Sequence, residues 1–357
     1  DIEETMSDGR LAFFAKGVVR GDWLLTVAVD TAKRRGRQDG DLFDEIDPDA
    51  YYTLYGDRTY QANDAESRYP VYVKLERDTF QALFGDFVTD LTDTELGRYS
   101  RRLSGIKADY ESRTVSVTAF AAQTNQRFLK EEIAADGTSG PFRLQGAPLL
   151  RSSEAITVET RDRFRPDQIV SVRPLARYID YEIDYTTGEL FFRHPVAASD
   201  DGFNTNVIVV DYETSRAGRR GLTAGGRGAL RFADGDVETG LTVLREEASG
   251  DATGRSELLA ADTTIRLGDS TELRAEIAAS RSNTGDRRVS GNAWLVEATR
   301  TSGRLNATGY YREETQGFGL GQQASTTTAL RRIGAQLSAQ LGVTEVADGS
   351  DRSERRL

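Results

Sequence analysis

The chain has 357 residues, no cysteine and one histidine, and its 57 acidic against 46 basic residues leave a formal net charge of -11. Without cysteine there is no disulfide framework, thiolate metal site or thiol nucleophile, and an acidic surface does not displace counterions from phosphates, which excludes nucleic acid as a partner. No run of about 18 apolar residues marks a transmembrane helix; the mean hydropathy of -0.52 reads as soluble, except for membrane β-barrels, whose strands alternate lipid-facing apolar and lumen-facing polar residues.

After an N-terminal extension over 1–10, Leu11 to Arg20 is the first expected strand, followed across Arg20-Gly21-Asp22 by Trp23 to Thr31. There Trp23, Leu25, Val27 and Val29 fall on one face and Leu24, Thr26, Ala28 and Asp30 on the other, a period of two. A long polar link, 33–69, leads to a strand from Val71 through Leu75, then to Phe80 to Phe87. A second link, 88–102, precedes Leu103 to Tyr110, and a short one precedes Thr114 to Ala122. These six strands make up a first barrel part, 11–136.

The stretch 137–214 has a different character. It opens on Gly140-Pro141-Phe142-Arg143-Leu144, contains the hairpin signal Tyr181 to Phe192 around Gly188, and closes on the apolar run Asn206 to Tyr212. About six short strands with no helical period predict an inserted β-sandwich.

Barrel grammar then resumes over 215–357: Gly221 to Phe232, Val237 to Glu246, Leu258 to Arg266, Leu273 to Ala279, Val289 to Thr299, Leu305 to Tyr311 and Ala329 to Leu341. Connections alternate short and long, as in an outer-membrane barrel with tight turns on one side and longer loops on the other. Several strands reach about 9 to 11 residues, the length of a tilted membrane crossing. The expected fold is therefore all-β, an antiparallel transmembrane barrel with an inserted β-sandwich. A soluble sheet with one wet face alternates in the same way and remains open.

The arrangement resembles outer-membrane ushers and, more loosely, the giant single-chain barrel of the gliding-bacteria secretion translocon. The resemblance rests on the Phe84-Gly85-Asp86-Phe87 strand end followed by Leu103-Ser104-Gly105-Ile106-Lys107, on the Gly140-Pro141-Phe142 entry, on an insertion after the sixth strand, and on the hairpin Tyr181 to Phe192. It implies a plugged pore in the outer membrane of a Gram-negative bacterium, serving protein export or surface display, with membrane lipid and an exported or surface protein as partners. The chain departs from the ushers in showing no chaperone-binding domain before Leu11 and no cysteine-bridged C-terminal domain. About thirteen strands is an odd number where single-chain bacterial barrels have even ones, so the chain is expected to be part of a longer polypeptide. The alternative reading is a cell-surface adhesin or structural protein whose inserted domain binds an extracellular ligand.

Candidate pore-lining residues are Arg227, Arg231, Glu238, Arg274 and Glu276, opposite charges placed to pair across neighbouring strands. The acidic stretch Asp39, Asp41, Asp44, Asp47 and Asp49 is a candidate cation-binding loop whose carboxylates suit calcium, although its spacing is not that of an EF-hand. No other cofactor is expected. His194 without cysteine cannot assemble a zinc site. Ala224-Gly225-Gly226-Arg227-Gly228 lacks the Lys-Ser/Thr of a phosphate loop and reads as close strand packing. No two of the 57 acids are singled out as a catalytic pair, so the chain is expected not to be an enzyme.

Overall fold

The structure, a computed structural model, describes residues 11–31, 70–250, 252–284, 287–303, 305–320 and 328–339. The extension 1–10 and the candidate cation-binding loop with Asp39, Asp41, Asp44, Asp47 and Asp49 lie outside the described residues. No helix among the described residues is long and apolar enough to cross a membrane.

The first strands are β1 (Ala12–Val19), β2 (Trp23–Asp30), β3 (Val71–Arg77), β4 (Phe80–Val88), β5 (Arg102–Glu111) and β6 (Val115–Ala134). Five short ones follow: β7 (Phe142–Arg143), β8 (Ala155–Arg161), β9 (Ile169–Leu175), β10 (Tyr181–Asp184) and β11 (Glu189–Phe192). The chain continues with β12 (Thr205–Phe232), β13 (Val237–Glu247), β14 (Arg255–Leu267), β15 (Thr271–Thr284), β16 (Arg287–Ser302), β17 (Leu305–Glu314) and β18 (Leu330–Ala339). Strands β1 to β6 and β12 to β18 form one antiparallel meander in chain order, with β6 beside β12. These are the thirteen strands expected from the sequence, in a sheet of the outer-membrane β-barrel kind. Its edges are β1 and β18.

Period-two alternation gives the sheet two unlike faces. On β13 to β16, Leu241, Val243, Leu259, Leu273, Ile277, Trp294 and Val296 stay exposed, Ile277 at 56% and Val296 at 55%. Their alternates Thr242, Leu244, Leu258, Ala260, Asp262, Glu276, Ala278, Ala293 and Leu295 are buried. A continuous row of exposed branched and aromatic side chains, with charge on the opposite face, is the pattern of a sheet that meets lipid on its outside.

The inserted module is a two-layer sandwich. One layer is β9–β8 continued by the 205–211 part of β12 and the 128–134 part of β6; the other is β10–β11–β7. Between them lie Phe142, Leu144, Ile156, Val158, Tyr181, Ile183, Leu190, Phe192, Ile208, Val210 and Tyr212, with Leu190, Ile208, Val210 and Tyr212 wholly buried.

Two strands are much longer than the sequence indicated. Strand β6 was expected to stop at Ala122 and runs to Ala134, and β12 was expected from Gly221 and begins at Thr205. Each crosses the sheet and then climbs into the module, with register shifts between Glu213 and Ala217 and between Ala217 and Gly221 where the ribbon bends. The polar stretches Gln123–Gln126 and Ser215–Arg220 hid this continuity, because neither carries an apolar alternation. Within the entry Gly140 to Leu144, Phe142 and Arg143 form β7.

Candidate functional site

The connection between β4 and β5, residues 89–101, folds inward. Leu91 and Tyr99 exchange backbone hydrogen bonds at 2.9 and 2.8 Å, and the Thr89 hydroxyl donates to the Tyr99 carbonyl at 3.1 Å and accepts from the Arg101 amide at 3.0 Å, closing the loop on itself. Leu91, Leu96 and Tyr99 are buried in one cluster with Phe87 and Phe120 on one side and Leu244, Leu258, Ala278 and Leu295 on the other. The Tyr99 ring stacks on Phe120 at 6.0 Å. An apolar stripe within a polar loop thus carries it across the inner face, and Phe318 and Leu320 from the β17–β18 connection join the same cluster.

Charges from the sheet hold the loop. Glu276, 2% exposed, accepts the backbone N–H groups of Glu95 at 3.0 Å and of Leu96 at 2.8 Å. Arg312 pairs with Glu95 at 2.7 Å, and Arg274 lies 3.6 Å from the same carboxylate and donates to the Asp93 carbonyl at 3.1 Å. Arg227 contacts Asp93 and Glu238, each at 3.2 Å, and binds both oxygens of Asp262, one of them at 2.8 Å. Arg231 completes the network, reaching Glu238 at 3.0 Å and Glu111 at 2.5 Å. All five candidate pore-lining residues therefore lie on the inner face, but Arg227 and Glu276 are buried beneath the loop and Arg231, Glu238 and Arg274 stand partly exposed around it.

The module is tied to the far wall. Its β8–β9 turn is made rigid by Asp162, whose carboxylate accepts the amides of Phe164 and Arg165, each at 2.8 Å. From this turn Arg165 pairs with Glu297 on β16 and lies 4.6 Å over the Tyr310 ring of β17. Asp167 pairs with Arg312 of β17 at 3.0 Å and with Arg332 of β18. Where β6 and β12 enter the module, Arg101 is 2% exposed, pairs with Glu246 at 2.6 Å, approaches Glu213 at 3.7 Å and lies 3.7 Å over the Phe128 ring. Nearby, burial pushes the Asp211 carboxyl up to about 6 against the opposing pull of Lys130 and Arg101. The Arg161 hydrogen bond holds Glu132 below its ordinary value, outweighing the effect of burial. Between the module and loop 89–101 lies a cavity of about 1340 Å³ lined by both.

The loop and the latch were not foreseen from the sequence, which treated 88–102 as a plain link; its signal was Leu91, Leu96 and Tyr99 spaced among acids. Arg165 and Asp167 gave no signal, being two charges among many. His194 is exposed, and among the described residues no cluster of three or more His, Cys, Asp or Glu is arranged to hold a metal ion.

No protein-family model matches the chain, and no curated protein matches its sequence. Outer-membrane proteins are among the solved structures similar to it. A loop L8 deletion mutant of OmpT from Vibrio cholerae is 10% identical with a TM-score of 0.35, over 92% of this chain and 89% of that one. Outer-membrane expressed OmpT of Vibrio cholerae is 11% identical with a TM-score of 0.30, over 92% and 86%. The translocation pore of the P pilus usher PapC is 12% identical with a TM-score of 0.27, over 88% of this chain and 57% of that one. These likenesses do not single out an usher or translocon relationship. The expectation that the chain is not an enzyme is corrected: it rested on no two acids being singled out, and the inner face gathers carboxylates that the sequence did not select, Glu95 beside Glu276 under Arg274 and Arg312. The ground for setting an enzymatic role aside is therefore gone.

Proposed function

We propose that this chain forms a plugged pore in the outer membrane of a Gram-negative bacterium and serves protein export or surface display. The observation that carries the reading is the double closure of the inner face. Loop 89–101 is clamped across the sheet by Glu276, Arg227, Arg274 and Arg312, and the module is pinned over it through Arg165 and Asp167. An inner face meant only as a polar wall needs neither device; a pore that opens on demand needs a closure held by bonds that water can replace. Ion pairs of this kind are open to competition from water and salt once exposed, so the latch is releasable without unfolding the sheet.

Planar-bilayer conductance of the full chain tests this. The double substitution Arg165→Glu with Asp167→Arg reverses both latch charges, so that a carboxylate at position 165 faces Glu297 and a guanidinium at position 167 faces Arg312 and Arg332. The wild type is expected to stay mostly closed and the variant to conduct several-fold more. Equal conductance in the two, with both proteins correctly folded, would sink the latch and the pore with it.

A further inference from the structure

The edge strand of the module, β9, pairs with β8 and, among the described residues, with no other strand. Its five interior residues, Val170 to Pro174, are all exposed. The cavity beneath the module is lined by the consecutive residues 169–172 and again by 174–179. A cavity that meets alternate residues touches one face of a strand; one that meets consecutive residues runs along its edge. The free edge of β9 therefore runs along this cavity, at its solvent-accessible side.

We propose that this space is a binding site for an extended polypeptide segment, which adds to the module as a strand beside β9. The inference rests on the export reading and names the class of ligand that the closed pore would engage. A row of backbone donors and acceptors at strand spacing is matched by another extended backbone and by little else. Val170 at 53% and Val172 at 49% exposure supply apolar contacts at period two, the spacing at which cross-strand pairs form. Pro174 lacks an amide, so the ladder runs over 169–173.

The rest of the lining offers both kinds of polar partner. Glu154 is 6% exposed and its Oε2 has no hydrogen-bond partner, while Oε1 accepts the Tyr185 hydroxyl at 2.7 Å. Arg101, 2% exposed, has its Nε without a partner. A site for a small anion or cation would present one sign; a lining that holds both a donor and an acceptor fits a peptide, which carries both.

The probe is a short fluorescent peptide of alternating threonine and valine, added to the purified full chain in detergent. Binding is followed by anisotropy and by hydrogen exchange at 169–173. The control replaces alternate residues with proline, which cannot complete the ladder. The alternating peptide is expected to bind and to slow exchange at 169–173, the proline peptide to do neither. The double substitution Val170→Lys with Val172→Lys, at exposed positions where lysine blunts an edge without disturbing the core, is expected to weaken binding about tenfold or more. Absence of binding, equal binding of the proline peptide, or binding with unchanged exchange at 169–173 overturns the proposal. Conductance of the latch variant reads the pore independently: if it opens while the peptide leaves 169–173 unprotected, the pore stands and this site falls.

Discussion

At the scale of single residues, Gly240 shows how the inner face accommodates its charges. It lies on β13 between Arg227 on β12 and Asp262 on β14, and a Cβ there would collide with the Arg227 guanidinium and the Asp262 carboxylate. Glycine leaves the lane through which Arg227 crosses its neighbouring strand to form a buried, two-bond pair. Arg227→Ala strands Asp262, 8% exposed, without its partner, and breaking a buried pair from one side costs about 3 kcal/mol or more. Arg231→Ala removes a partly exposed arginine from partners on the rim and is expected to cost under about 1 kcal/mol. Urea unfolding in lipid vesicles ranks the two, and similar losses would contradict the burial argument. Asp211 supplies a pH signature in the module. Its carboxyl titrates higher when folded than its ordinary 3.8, so its contribution to stability is fully present below about 3.8 and is lost as the pH rises through about 6. Against Asp211→Asn, which does not titrate, the wild type is expected to gain about 1 to 3 kcal/mol on going from about pH 7 to about pH 4. A difference between the two proteins that does not change with pH removes Asp211 as the titrating group.

At the scale of elements, the thirteen strands of the sheet were legible because their signal is local: apolar residues at every second position, ended by short turns such as Arg20-Gly21-Asp22. What the sequence did not disclose depends on long-range contact. Strands β6 and β12 run on into the module because each finds the other as a ladder partner far beyond the sheet, and no window of either strand contains that fact. The same holds for loop 89–101. The sequence showed it only as a link between strands, yet Asp93 and Glu95 face arginines more than a hundred residues away, and Leu91, Leu96 and Tyr99 find their core on distant strands of the sheet. Gly85 was legible only as part of a motif; the structure gives its reason, since a Cβ there would strike the Tyr72 ring. The carboxylate of Glu276 is the loop's main anchor, accepting two adjacent amides. Glu276→Ala is therefore expected to speed hydrogen exchange at Glu95 and Leu96 while leaving β14 to β16 protected, because the sheet ladder does not depend on that side chain. Faster exchange throughout the sheet would show that the residue supports the wall and not the loop.

At the scale of the whole molecule, the two faces of the sheet imply two different solvents, and that difference is measurable. Along β13 to β16 the outer face presents Leu241, Val243, Leu259, Ile277, Trp294 and Val296 together. In water such a surface would be an association site, and replacing one exposed residue by lysine would be nearly neutral or helpful, within about 0.5 kcal/mol. In a bilayer the same lysine must be taken into hydrocarbon, at about 2 to 4 kcal/mol near the midplane and less towards the interfaces. Ile277→Lys and Val296→Lys are thus expected to lower the unfolding free energy in lipid vesicles by that amount, whereas Phe203→Lys, on the module and 71% exposed, is expected to change it little. The comparison holds side-chain exposure high in all three and varies only what lies outside the protein. Equal, small effects at positions 203, 277 and 296 would mean that water reaches the outer face everywhere, and the membrane barrel would have to be given up. A large loss at 277 and 296 with none at 203 would place that face of the sheet in lipid and Phe203 in water.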